Sequence, residues 1–290
     1  MGLVKHASIV SVVRVLLILA GAFLVIGLLV RQMSFIDQQM IYFPDGELIA
    51  TPADVGLEYE DVNLTASDGV QLHGWFVPGE GRLTFLWFHG NAGNISHRVD
   101  NIMMLNSALG ANIMIIDYRG YGRSQGSPSE KGLYLDAEAA FEYLVSERGV
   151  DSETELVLFG RSLGAAVAVE MAVRHQARAL ILESGFTSVK DMAHRAFPFL
   201  PPNVLLTMVE ARFNTISKIG NVDYPVMVLH GDQDEIVPFE LGLELIEAAT
   251  DSKLFYRIQG AGHNDTYHVG GEPYFEALRE FILSASSIDR

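Results

Sequence analysis

Leu156-Val157-Leu158-Phe159-Gly160-Arg161-Ser162-Leu163-Gly164-Ala165-Ala166-Val167-Ala168-Val169 reads as a strand, a sharp turn and a helix. The first four residues form the short apolar run expected of a buried strand. The last five are small and apolar, and they open a helix. Between the two runs stands Gly-x-Ser-x-Gly. A serine at the apex of such a turn takes strained backbone angles, which small flanking residues permit. The N-terminus of the following helix directs its dipole and free N–H groups at that serine. Outside this context the pattern is weak, because glycine and serine are common in turns. With a strand before it and a helix after it, Ser162 becomes a candidate nucleophile.

A serine hydroxyl needs a base, and the base needs a carboxylate to orient it. Strand–turn–helix sites of this kind take them in the chain order Ser, Asp or Glu, His. Downstream, Pro225-Val226-Met227-Val228-Leu229 has the pattern of a buried strand and runs into His230-Gly231-Asp232-Gln233-Asp234. Lys253-Leu254-Phe255-Tyr256-Arg257-Ile258 alternates like a strand and leads to Gly260-Ala261-Gly262-His263. Both groups fall just past the C-terminal end of a strand, where α/β sheets place functional side chains. His263 is the expected base, with His268 as competitor. Asp234 is the expected acid, ahead of Asp232, whose side chain suits a turn, and of Glu183 at the end of Ala179-Leu180-Ile181-Leu182. The oxyanion hole calls for two N–H groups. Leu163, the residue after the serine, supplies one, and Asn91 supplies the other from the loop after Phe85-Leu86-Trp87-Phe88. His89 and Asn94 read as scaffolding of that loop.

Six motifs then occur in one order: His89-Gly90-Asn91-Ala92-Gly93-Asn94, Asp117-Tyr118-Arg119-Gly120-Tyr121-Gly122-Arg123-Ser124, Gly160-Arg161-Ser162-Leu163-Gly164, Phe186-Thr187-Ser188, His230-Gly231-Asp232-Gln233-Asp234 and Gly262-His263. Together they resemble the BEM46-like branch of the α/β-hydrolase superfamily, over roughly residues 35–285. That branch is related to eukaryotic depalmitoylases and to bacterial membrane-anchored hydrolases classed as S33-like peptidases. The resemblance implies Ser162 as nucleophile, Asp234 as acid and His263 as base. It also implies that Asp117–Gly122 is a strand end and loop supporting the site. That Gly/Tyr-rich stretch lacks the Lys-Ser/Thr signature of a phosphate loop. The chain has no cysteine, so the N-terminal acylation of the depalmitoylase group has no counterpart here.

Membrane attachment is expected from another feature. Ile9 to Val30 is 22 residues long and apolar apart from Ser11 and Arg14. As a helix it spans about 33 Å, enough for a hydrocarbon core. The bulky Leu28-Leu29-Val30-Arg31-Gln32-Met33 offers no small-x-small cleavage site, which favours an uncleaved signal anchor over a cleaved signal peptide. Lys5, Arg14 and the amino terminus precede the apolar core and Arg31 follows it. This bias places the N-terminus in the cytoplasm and a single-pass protein's catalytic domain on the periplasmic or extracytoplasmic side. The expected organisation is an anchor over residues 1–34 and a catalytic domain over 35–290.

The 290 residues are 49% hydrophobic with a net charge of −16. Such acidity repels nucleic acid and anionic headgroups, which excludes nucleic-acid binding and disfavours an anionic substrate. Apolar strands alternating with helical stretches from Thr84 onward give an α/β fold, a mostly parallel sheet flanked by helices. An antiparallel hairpin, Tyr59–Leu64 with Gln71–Val77, precedes it. A lid insertion falls at about 186–224, where Phe197–Pro202 and Val204–Val209 are apolar. It either receives an acyl chain or packs on the domain, and Phe186 and Met208 are its candidate substrate contacts. The whole reads as a membrane-anchored serine hydrolase of small-molecule or lipid acyl esters or thioesters, with no metal or organic cofactor implied. An S33-like peptidase and a non-catalytic scaffold on the same fold are the rivals.

Overall fold

Apolar runs of five to seven residues set the frame of the molecule. The computed structural model describes residues 37, 40–196, 199 and 209–285. Its strands are β1 (Phe43–Pro44), β2 (Glu60–Thr65), β3 (Gln71–Val77), β4 (Thr84–Phe88), β5 (Ala92–Gly93), β6 (Asn112–Ile116), β7 (Leu156–Arg161), β8 (Ala179–Glu183), β9 (Val226–Gly231) and β10 (Lys253–Ile258). Eight of them form one sheet in the order β10-β9-β8-β7-β4-β6-β3-β2. From β10 to β6 every pairing is parallel, and β3 joins β6 and β2 antiparallel. The expected hairpin is β2–β3, with Asp61 opposite Trp75 and Leu64 opposite Leu72.

Side chains alternate across this sheet with a period of two, and each face receives its own helices. One face carries Leu86, Phe88, Leu158, Leu180 and Val228 against helices Glu130–Glu142, Leu163–Ala172 and Phe239–Ala248. The other carries Trp87, Ile115, Phe159, Ile181 and Leu229 against Val99–Leu109 and the C-terminal helix within Thr266–Ala285. That last segment is broken at Gly271, where φ is 53° and Pro273 follows. Burial on both faces explains why the central strands are continuous apolar runs instead of alternating ones.

The helix Leu163–Ala172 sits closest to the sheet, and two glycines allow it. A Cβ on Gly164 would lie 1.9 Å from the Phe88 carbonyl oxygen, and one on Gly160 would lie 2.3 Å from the Gly164 carbonyl oxygen. All of this helix except Glu170 is buried, so it is apolar on nearly every side, as a core helix must be.

A second, two-stranded sheet was not anticipated. Strand β1 pairs parallel with β5, Phe43 opposite Ala92. The preceding Asp37 carboxylate accepts hydrogen bonds from the backbone N–H groups of Glu210 and Ala211 at 2.9 Å each. The segment that follows the expected anchor is thus stitched to two loops of the α/β unit. Among the described residues no helix is long and apolar enough to cross a membrane; the expected span over 9–30 lies outside them, as do 197–198 and 200–208 of the lid.

Gly164→Ala should lower the unfolding free energy by at least about 3 kcal/mol, because its new methyl meets backbone that cannot yield. Gly260→Ala, at φ 79° with nothing within 4 Å, should cost only the left-handed strain of about 1 kcal/mol. Denaturant unfolding of the two variants beside the parent measures the difference.

Candidate active site

Ser162 stands at the end of β7 with φ 54° and ψ −118°, a conformation that non-glycine residues rarely adopt. Neighbouring strands and the following helix hold it there. Its N–H donates to the Glu183 carbonyl at 2.9 Å, and its carbonyl accepts from Ala165 N–H at 2.9 Å. A Cβ placed on Gly90 would stand 3.5 Å from the Ser162 Cβ.

The imidazole of His263 joins Ser162 to Asp234. Its Nε2 is 3.1 Å from Ser162 Oγ, and its Nδ1 is 2.7 Å from Asp234 Oδ2. A carboxylate only accepts, so the ring proton sits on Nδ1 and the Nε2 lone pair faces the serine hydroxyl. All three residues are buried. Burial alone would raise the Asp234 pKa. Hydrogen bonds from His230 and His263 and from the Val237 backbone outweigh it and hold the carboxyl well below the usual carboxylate range. Asp234 Oδ1 accepts from the N–H groups of Ile236 at 2.9 Å and Val237 at 2.7 Å. His230 Nε2 lies 2.9 Å from the Val237 carbonyl and 3.4 Å from Asp234 Oδ2. Gly242 makes room for that ring, since a Cβ there would stand 2.4 Å from His230 Nδ1.

The competing residues are engaged elsewhere. Asp232 is tied to β10 and the turn after it, accepting from Gly260 N–H at 2.7 Å and from Arg257 Nε at 2.8 Å. His268 is exposed and stacks on Tyr267 with ring centroids 4.2 Å apart. Glu183 is fully buried, 2.9 Å from Arg161 Nε, and accepts from Thr266 Oγ1 and Tyr274 Oη. Arg161 in turn donates from Nη2 to the His263 carbonyl at 2.6 Å. The Arg161–Glu183 pair therefore ties the end of β7 to the loop that carries His263. Sequence reading overlooked Arg161, because it occupies the variable position of Gly-x-Ser-x-Gly; a cation there next to a strand-end Glu was the available signal.

The loop after β4 is held from three sides. The carbonyl of Asn91 accepts from Phe43 N–H at 2.9 Å and from Tyr121 Oη at 2.8 Å, and its side chain donates to the Ile41 carbonyl at 3.0 Å. Tyr118 Oη donates to the His89 carbonyl at 3.0 Å, and Asp117 accepts from Ile95 N–H at 2.9 Å. The Asp117–Gly122 stretch thus supports this loop directly. Burial, reinforced by the charge of Arg98, pushes the His89 imidazole down to about 4, so it is neutral at physiological pH and stacks on Tyr118 as an aromatic ring.

A cavity of about 600 Å³ opens over Ser162, lined among others by Asn91, Arg98, Ile236 and His263. Leu163 is the first residue of its helix, where an N–H has no partner one turn back. Phe186 packs in the core beneath the helix face of the sheet and is not among the lining residues. Met208 lies outside the described residues. Among the described residues no three His, Asp or Glu side chains converge as a metal ion would require.

The fold and this arrangement define an α/β-hydrolase. Residues 79–208 match a family model described as "Serine aminopeptidase, S33". The chain is 39% identical to protein bem46 of Schizosaccharomyces pombe over 251 residues, 83% of this chain and 82% of that one. It is 38% identical to the alpha/beta hydrolase domain-containing protein WAV2 of Arabidopsis thaliana, over 80% of this chain and 81% of that one. Among solved structures, an esterase of Pyrococcus furiosus superposes with a TM-score of 0.70 at 22% identity, covering 83% of this chain and 98% of that one, a likeness of fold. The chain belongs to the BEM46-like branch of the α/β-hydrolase superfamily.

Two outcomes follow from the buried charges. An aspartate ordinarily titrates at 3.8, and folded Asp234 titrates lower. The folded state therefore binds fewer protons than the unfolded one in that interval. The stability Asp234 contributes is complete above about pH 4 and is lost as pH falls towards the folded value. Asp234→Asn should remove that part of the acid limb, measured as unfolding midpoints from neutral pH to about pH 3. Arg161→Met leaves Glu183 buried without its cation and should cost about 3 kcal/mol or more in denaturant unfolding.

Proposed function

We propose that this chain is a serine hydrolase that cleaves carboxylic ester or thioester bonds through an acyl-enzyme. The observation that carries the reading is the hydrogen-bonded line from Ser162 Oγ through the His263 imidazole to ionised Asp234. Ser162 Oγ attacks the substrate carbonyl carbon while His263 Nε2 takes its proton. The imidazolium that forms is stabilised by the Asp234 carboxylate. The carbonyl oxygen becomes an oxyanion, and the N–H groups of Leu163 and Asn91 receive it. Collapse of the tetrahedral species breaks the bond to the leaving alkoxide or thiolate, which takes the proton from His263. Water then attacks the acyl-enzyme, gives its proton to His263, and the acid departs as Ser162 Oγ is reprotonated.

A strained serine is costly to keep in a structural turn, which favours a catalytic role over a scaffold. The catalytic unit over 35–290 is carried at a membrane by a single-pass anchor over about 9–30, facing the periplasmic or extracytoplasmic side. Its substrates on this reading are small-molecule or lipid acyl esters. The S33 description of the matching family model favours a second reading, an aminopeptidase using the same three residues.

Hydrolysis of p-nitrophenyl esters of rising chain length and of aminoacyl arylamides, by parent and Ser162→Ala, separates the two. Ester turnover reduced at least about 1,000-fold by the substitution is expected. Serine-dependent turnover of the arylamides alone would install the peptidase, and turnover that survives the substitution would reject both.

A further inference from the structure

The cavity over Ser162 is lined by a guanidinium, that of Arg98, which the ester-hydrolysis steps do not use. Arg98 and Arg161 both line it. Arg161 is matched by Glu183, whereas among the described residues no carboxylate oxygen lies within 4 Å of the Arg98 guanidinium. Among the groups that bear on Arg98, besides burial itself, are the like charge of Arg161 and the side chains of Tyr267, Tyr118 and Tyr121. Its Nη2 donates to the Ala92 carbonyl at 2.6 Å, while its Nε is buried without a partner. Asp45 is the one acidic side chain among the lining residues; it is exposed and caps Glu47 N–H at 3.0 Å.

Arg98 is half-buried, with its Nη2 bond to Ala92 open to solvent and its Nε shielded, and partly withdrawing a guanidinium from water without a counter-charge is unfavourable. Burial and the repulsion of Arg161 pull its pKa down to about 10, which still leaves Arg98 charged at neutral pH. An anion in the cavity would supply the missing partner, and a guanidinium with one hydrogen bond made to Ala92 keeps donors free for it. The chain as a whole carries −16 and repels anions, whereas this cavity is lined by two arginines and one exposed aspartate. Whole-chain charge disfavours an anionic substrate; Arg98 points the other way, because Glu183 already matches Arg161 and the Asp234 charge is taken up by its own donors, which leaves Arg98 as the lining charge without a partner within 4 Å among the described residues.

We propose that Arg98 selects esters that bear a carboxylate or phosphate a few bonds from the scissile carbonyl. This rests on the hydrolase reading above and names its substrate class. A role confined to clamping the Ala92 carbonyl would affect neutral and anionic esters alike.

Two matched pairs test it with the full-length chain. Methylumbelliferyl pentanoate against the methylumbelliferyl half-ester of glutaric acid replaces an acyl-side methyl by a carboxylate. An acylglycerol against the corresponding acylglycerol phosphate places the anion on the alcohol side. In at least one pair kcat/KM should favour the anionic member. Arg98→Gln should lower that anionic-to-neutral ratio about tenfold, Arg98→Lys should recover part of it, and added salt should erode it. Whichever pair responds identifies the side that carries the anion. A ratio unaltered by Arg98→Gln in both pairs would overturn the proposal and leave Arg98 as a loop clamp, whatever the absolute rates. Absent turnover of all four esters, or turnover that survives Ser162→Ala, would instead reject the hydrolase reading beneath it.

Discussion

The helix after Ser162 lies so close to β4 that no side chain fits between them, and the rest of the site depends on that contact. Gly164 meets the Phe88 carbonyl directly, and Gly160 faces the first turn of the same helix. The close approach forces the chain to reverse within one residue, and that residue is Ser162, held at φ 54°. Strain of this order persists only where the surroundings over-determine it. Here they do so through the Ser162 N–H bond to Glu183 and through strands paired on both sides of β7. The same contact brings the loop after β4 beside the serine, so its hydroxyl and the backbone around Asn91 border one cavity.

Charge performs the second half of the positioning. Asp234 remains ionised in a buried place because four donors converge on it: two backbone N–H groups and two imidazoles. Arg161 and Glu183 form a separate buried pair whose hydrogen bonds reach the His263 carbonyl, Thr266 and Tyr274. Ser162, His263 and Asp234 come from three loops widely separated in sequence, and these two networks lock the loops to one another. Replacing either network by an apolar cluster of equal volume would preserve packing but release the register of His263 against Ser162.

The central strands were legible because both faces of a parallel sheet are buried, which writes each strand as an unbroken apolar run. Ser162 and Asp234 were legible because each follows such a run, and His263 because it follows an alternating strand pattern and a Gly-rich turn. Other features left no local trace. The β1–β5 pairing joins residues far apart in the chain through two residues each, too short for any periodicity. Arg161 hid at the unconstrained position of its own motif, and Glu183 read as an alternative acid because a strand-end carboxylate looks the same whether it touches an imidazole or a guanidinium. Arg98 carried no signal at all, since the absence of a counter-charge exists only in three dimensions.

Covalent capture would test the account most directly. The full-length chain is treated with a fluorophosphonate, digested, and its peptides mapped by mass spectrometry. A single adduct on Ser162, formed slowly or not at all in a folded His263→Asn variant, is the predicted result. A folded protein that takes no label, or takes it on a different serine, would contradict the claim that the strained elbow presents an activated nucleophile.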